Sequence, residues 1–217
     1  MASPESGADP TSAGGRAEIL KRRPALGCAL EVLETIVLTV LIFFGIQTFV
    51  AQPFEVEQPS METTLLPGQY ILVDKLSPRW DTYSIGDIIV FKPPETWAQG
   101  SKVPFIKRVI GVAGDAVALR DGSVYINGVA IDEPYVFTDD AGRRQETLPA
   151  PGGATEWLIP EGELFVMGDH REASADSRVF GPIPISDVIG RAFLRYWPIS
   201  ALQIIATPAY PAIPSTP

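Results

Sequence analysis

Two residue types that carry much of enzyme chemistry are almost missing from this chain. Its single cysteine, Cys28, excludes a disulfide within the chain and any cysteine cage for zinc. Its single histidine, His170, leaves a serine hydrolase only one imidazole to recruit as a base. No metal-ligand, nucleotide or flavin motif occurs, so no metal and no cofactor are expected. Cations are outnumbered, 17 Lys and Arg against 26 Asp and Glu, for a formal charge of −9. Nowhere do they form a stripe with interleaved aromatics, which excludes nucleic acid as a partner. The acidity favours solubility and says little about fold.

Long apolar runs are also scarce, with one exception. Residues 1–20 are rich in Ser, Gly, Pro and Ala and read as disordered. Lys21-Arg22-Arg23 follows, and from Leu30 to Val50 the chain is apolar apart chiefly from Glu31 and Glu34. About 20 helical residues cross the hydrocarbon of a bilayer. A core helix would keep a polar face, and this stretch has none. The reading is a transmembrane helix over 30–51, preceded by a cytoplasmic tail, 1–29, and followed by an extracytoplasmic domain, 52–217. The basic triplet before the helix sets that orientation by the positive-inside rule. Cleavage of the helix as a signal peptide is disfavoured, because Phe49 occupies the −3 place before Ala51. Lipidation at Cys28 is disfavoured because the apolar run follows the cysteine.

From Gln52 onward the pattern is β. Short β-branched runs at 69–74, 87–91, 103–111, 156–159, 164–167 and 190–197 are separated by turn residues. Asp121-Gly122 and Asn127-Gly128 bracket Val124-Tyr125-Ile126 as tight hairpins. With no recurring helical period, the fold class is mainly β, a barrel-like or sandwich domain. A small insert is placed at about 116–160, with a loop over 138–155, and a Pro-rich irregular tail at 207–217.

Ser60 lies nine residues beyond Ala51, so an extended tether of about 30 Å at most holds it near the bilayer. A serine hydroxyl needs a base to become a nucleophile. Lysine can serve only when neutral, and its free pKa is about 10.4. Burial lowers that value, and Lys107 sits among Phe105, Ile106, Val109 and Ile110. Ser-Lys pairs are a known variant of triad logic. The alternative is a Ser60-His170-Asp triad.

Four segments then show a resemblance. Ser60-Met61 with Thr64-Leu65, Gly86-Asp87-Ile88-Ile89-Val90-Phe91, Phe105-Ile106-Lys107-Arg108-Val109-Ile110-Gly111 with Gly114-Asp115, and Val166-Met167-Gly168-Asp169-His170-Arg171 with Ser174, Asp176, Ser177, Arg178 and Gly181 resemble, in order, the boxes of bacterial type I signal peptidases. The resemblance covers most of residues 30–198. It implies Ser60 as nucleophile, Lys107 as general base, and Ser174 orienting the lysine amine. Asp176, Arg178 and Arg108 would support the dyad as a charged network. The Ser60 N–H would meet the oxyanion. Some relatives add a hydroxyl two residues earlier, where this chain has Gln58. Phe54, Val56, Met61, Leu65, Phe105 and Ile106 fall at the places of shallow pockets for small side chains, and an extended peptide would bind by adding a strand. Partners implied are signal peptides of exported preproteins, cut after Ala-X-Ala sites, and the lipid bilayer. Two residues depart from the family pattern: His170 replaces an asparagine, reading as a hydrogen-bonding turn residue, and Thr63 replaces a proline, loosening the turn. Trp97, in a loop-like stretch, is a candidate for lipid contact. Competing readings are a processing peptidase dedicated to one secreted substrate, and a tethered β-domain that binds exported chains without cutting them.

Overall fold

The computed structural model describes residues 23–76, 78, 82–98, 103–210 and 213. They fall into two units that part between Ile46 and Gln47. Most of the expected N-terminal tail, residues 1–22, lies outside the described residues, as do 211–212 and 214–217 of the Pro-rich tail.

The first unit is helical. Helix α1 spans Arg23–Phe49, so the residues from Arg23 onward that were expected in the tail belong to the helix. Pro24 is compatible with that start, because the first-turn N–H it lacks would have no partner. Gly27–Gln47 is long and apolar enough to cross a membrane. Leu33, Val37, Val40, Phe44 and their neighbours are exposed all around it, as expected of a helix whose solvent is lipid. Two of its threonines turn their hydroxyls to the helix backbone: Thr35 donates to the Glu31 carbonyl at 2.8 Å and Thr39 to that of Thr35 at 2.7 Å. These two hydroxyls are thereby satisfied within the helix.

The second unit is mainly β. Its strands are β1 (Ala51–Glu55), β2 (Tyr70–Asp74), β3 (Ile88–Phe91), β4 (Phe105–Gly111), β5 (Ala116–Arg120), β6 (Ser123–Ile126), β7 (Val129–Ala130), β8 (Glu156–Leu158), β9 (Glu163–Met167), β10 (Ile183–Pro184), β11 (Val188–Trp197) and β12 (Gln203–Ile204). Among the described residues the larger sheet runs β1-β2-β11-β3-β4-β9-β10, with β12 on β11, and the smaller runs β7-β6-β5-β8. Every strand pairing among the described residues is antiparallel, and register shifts along β11 let one strand of ten residues serve three partners. Such bulges bend a strand and curl the sheet toward a barrel.

Local chemistry explains the elements. Asp121 and Gly122 have φ of 50° and 73°, and Asn127 and Gly128 have 52° and 83°. These are the mirror-image turns whose twist suits tight hairpins. Strand β3 is buried on both faces: Ile88 and Val90 enter one apolar cluster, Ile89 and Phe91 another. A strand sandwiched this way reads as a continuous apolar run. The strand β1 was not anticipated, since Ala51-Gln52-Pro53-Phe54-Glu55 lacks a β-rich composition; pairing with β2 forms it. Trp97 corrects the expectation of a lipid contact. It is only 4% exposed, stacks on Phe180 and meets Phe91 in a T-shaped contact.

Candidate active site

Three pieces of the domain converge. A 3-10 turn, Pro59–Met61, follows β1 and buries Ser60 and Met61. Strand β4 carries Lys107 and Arg108, with Lys107 opposite Ile89. The turn after β9 carries Gly168, Asp169 and His170, then Ser174 and Asp176. The joints are short: the His170 N–H donates to the Ser60 carbonyl at 3.0 Å, and the Ser60 carbonyl and Ser174 hydroxyl lie so near Gly168 that no Cβ would fit there.

Lys107 Nζ lies 2.7 Å from Ser60 Oγ and 3.2 Å from the Ile106 carbonyl. The side chain is 1% exposed, that of Ser60 4%. Burial lowers the Lys107 pKa from its ordinary value to about 8; the Asp176 and Asp169 carboxylates oppose that shift and the Arg178 cation adds to it. Desolvation therefore wins over two nearby anions. The Phe105 ring, two residues away on the same strand face, lies 5.3 Å from Nζ.

Around the pair, charge is neutralised in two buried forks. Arg108 grips Asp169 through Nε at 2.8 Å and Nη2 at 2.7 Å, and also donates to the Gly86 carbonyl at 2.8 Å. Thr64 Oγ1 donates to the same carboxylate at 2.5 Å. Arg178 grips Asp176 at 2.9 Å through both Nε and Nη2, while Asp176 also accepts from the Gly168 N–H at 3.1 Å. The sequence suggests Asp176 and Arg178 as a pair and gives no partner for Arg108. Asp169 is that partner, and its place in the Gly168-Asp169-His170-Arg171 segment was the available signal. A third buried pair, Arg171 with Glu133 at 2.6 Å, went unforeseen because Glu133 belongs to a loop with no motif.

Asp169→Ala would strand the buried Arg108 cation, a loss of about 3–5 kcal/mol. The expected outcome is a thermal midpoint lower by about 10 °C. A midpoint within about 2 °C of wild type would show that the pair contributes nothing net.

The structure differs from other expectations. Ser174 Oγ donates to Asp176 Oδ2 at 2.7 Å rather than to the lysine amine. The His170 ring bonds Glu62 at 2.9 Å and stacks on Phe137 at 4.1 Å, so no Ser60-His170-Asp triad is assembled. Thr63 has a φ of 87°, which no proline could adopt, so the turn after Ser60 is reshaped rather than loosened. A pocket beside Ser60 is lined by Glu55, Val56, Glu57, Gln58, Met61, Val103, Pro104 and Ile106. Of the expected pocket residues Val56, Met61 and Ile106 are there. Leu65 is instead sealed in the core and Phe54 packs against the same cluster, while Phe105, on the Lys107 face of β4, packs against Phe91 and a second cluster.

A buried serine hydroxyl against a desolvated lysine, on a curled β domain, suits a serine endopeptidase, and the family match and relatives give that class. The description "Signal peptidase, peptidase S26" matches residues 29–197 of the chain. The "Probable signal peptidase I-2" of Synechocystis is 34% identical over 190 residues, covering 87% of this chain and 83% of its own. The signal peptidase I of Bacillus caldolyticus is 36% identical over 170 residues, 73% of this chain and 86% of its own. A crystal structure of a signal peptidase I from Enterococcus faecalis aligns at 33% identity over 51% of this chain and 97% of its own, with a TM-score of 0.38. The chain belongs to the signal peptidase S26 family.

Proposed function

We propose that Ser60 and Lys107 form the catalytic dyad of a membrane-anchored enzyme that removes signal peptides from exported preproteins after small residues. The observation that carries this is the 2.7 Å contact between Lys107 Nζ and Ser60 Oγ, made by a lysine that burial brings toward neutrality. Neutral Lys107 accepts the Ser60 proton as Oγ attacks the scissile carbonyl carbon. The resulting oxyanion meets the Ser60 N–H, which lies in the first turn of the Pro59–Met61 helix, where backbone donors have no intrahelical partner. The Gln58 side chain is exposed, caps nothing and lines the pocket, free to supply a second donor. Lys107 ammonium then returns its proton to the leaving amine, and the acyl ester on Ser60 is cleaved by a water that Lys107 deprotonates. Asp176, Arg178, Arg108 and Ser174 act by holding the two turns that meet at Gly168.

The preference for alanine is supported by size. The pocket beside Ser60 offers about 20 Å³, room for about one water-sized group. Anchoring is supported by the exposed apolar stretch Gly27–Gln47, with lipid as its partner. Lys21-Arg22-Arg23 before it supports an N-terminus in the cytoplasm and residues 52–217 outside. The test is cleavage of a preprotein with an Ala-X-Ala site by the full chain in detergent. Wild type is expected to cut after the last alanine, and valine at that position to slow cutting by about 10²-fold, since the extra methyls have no room. Equal rates for alanine and valine would remove the size argument.

A further inference from the structure

The family match ends at residue 197, yet the chain beyond it returns to the catalytic region. Thr207 Oγ1 donates to Asp87 Oδ1 at 2.6 Å. Pro208 and Tyr210 fill the space left by Gly86, where a Cβ would come within 2.9 Å of Pro208 Cδ and 3.3 Å of the Tyr210 ring. The Tyr210 hydroxyl donates to that of Tyr135 at 3.0 Å. Tyr135 is where the routes to the site meet. Its hydroxyl donates to Glu133 at 3.0 Å, and Glu133 holds Arg171, whose Nε donates to the Gly168 carbonyl at 2.9 Å. Its ring lies 3.8 Å beneath the Arg108 guanidinium, which grips Asp169 and the Gly86 carbonyl. Both routes end on the Gly168-Asp169-His170 turn that seats the Ser60 carbonyl.

We infer that residues 207–210 are a positioning strap, in which Tyr210 acts through Tyr135 to hold Arg108 and the Gly168 turn against Ser60 and Lys107. The inference rests on the dyad reading. A strap of this kind touches neither substrate nor reacting atoms. Its loss lets the turn shift and water reach Lys107, so it lowers kcat and not substrate affinity. A better-solvated Lys107 also titrates nearer its ordinary range, which moves the acid limb of the kcat profile upward. A purely structural role would change the amount of folded enzyme and leave that limb in place.

The experiment compares the full chain in detergent with Tyr210→Phe and with a chain ending at Ala206, on one preprotein. Ser60→Ala and Lys107→Ala run beside them, with kcat expressed per folded molecule. Tyr210→Phe keeps the ring in the Gly86 gap and loses one hydroxyl. The expected result is a threefold to tenfold fall in kcat at unchanged KM, of the order of one hydrogen bond. The shortened chain should lose more, about the 10²-fold of a small misplacement, and both should shift the acid limb to higher pH. Wild-type kcat and an unmoved limb in Tyr210→Phe would overturn the strap even if the shortened chain failed to fold. Full activity in Lys107→Ala would instead sink the dyad itself, whatever the tail variants do.

Discussion

Lys107→Ala is expected to lower kcat by about 10⁴-fold, the upper range for losing a positioned general base. Ser60→Ala should cost a similar factor, and the double variant little more, because the two act as one unit. Lys107→Arg keeps a cation but supplies no base near neutral pH and should be as inactive as alanine. In wild type, kcat should rise with pH through about 8, where the buried lysine loses its proton. A profile flat from pH 6 to 9, or one unchanged in Lys107→Arg, would remove Lys107 from the mechanism.

The same lysine makes a stability prediction of opposite sign. In the unfolded chain its pKa is about 10.4, while in the folded protein burial lowers it to about 8. Below the lower value both states are protonated, and the folded state bears the full cost of a buried cation, about 3 kcal/mol. Between the two values the unfolded state binds more protons, so stability rises with pH across that window and levels off above it. Lys107→Met should therefore be inactive yet more stable at pH 7, by about 1–2 kcal/mol once its lost hydrogen bonds are counted. It should also lack the rise in stability above pH 8. Thermal midpoints of the two proteins at pH 7 and 10 measure both effects. A less stable Lys107→Met would mean that the amine's bonds outweigh its desolvation.

Gly168→Ala is the second large effect. A Cβ there would overlap the Ser60 carbonyl oxygen and the Ser174 hydroxyl. One of these neighbours is the nucleophile's own backbone, which cannot rotate away as a side-chain end can. Ser60 must move, and a shift of about 1 Å in a reacting group costs about 10²-fold. The expected fall in kcat/KM is of that size or larger. Gly162→Ala is a suitable contrast: its φ of 76° makes alanine strained, but nothing lies within 4 Å of its Cβ. It should lose stability and keep turnover. Wild-type cleavage by Gly168→Ala would show that the turn yields and that Ser60 is not held by it.

The chain alone determined the features that depend on composition and local pattern. An apolar run of membrane length, charged only near its start, marked the N-terminal helix, and its lack of a polar face favours lipid over a core as its solvent. Alternating and continuous β-branched runs placed β2, β3, β4, β9 and β11 within a residue or two, because each is either half or wholly buried. Asp-Gly and Asn-Gly marked their hairpins since few residues tolerate a positive φ. Ser60 and Lys107 stood out because one histidine left few other bases. What the tertiary structure decided was everything that depends on which distant residues meet. Nothing local in Asp169 says that it faces Arg108 across 61 positions. Equally silent was the sequence about Ser174 turning to Asp176, Glu133 capturing Arg171, or Trp97 sinking into the core. Strand β1 and the seat of residues 207–210 have no propensity signal at all. They exist because the sheet edge offers β1 a partner and Gly86 leaves a gap for the tail, and burial and hydrogen bonds gained only in the assembled fold hold them there.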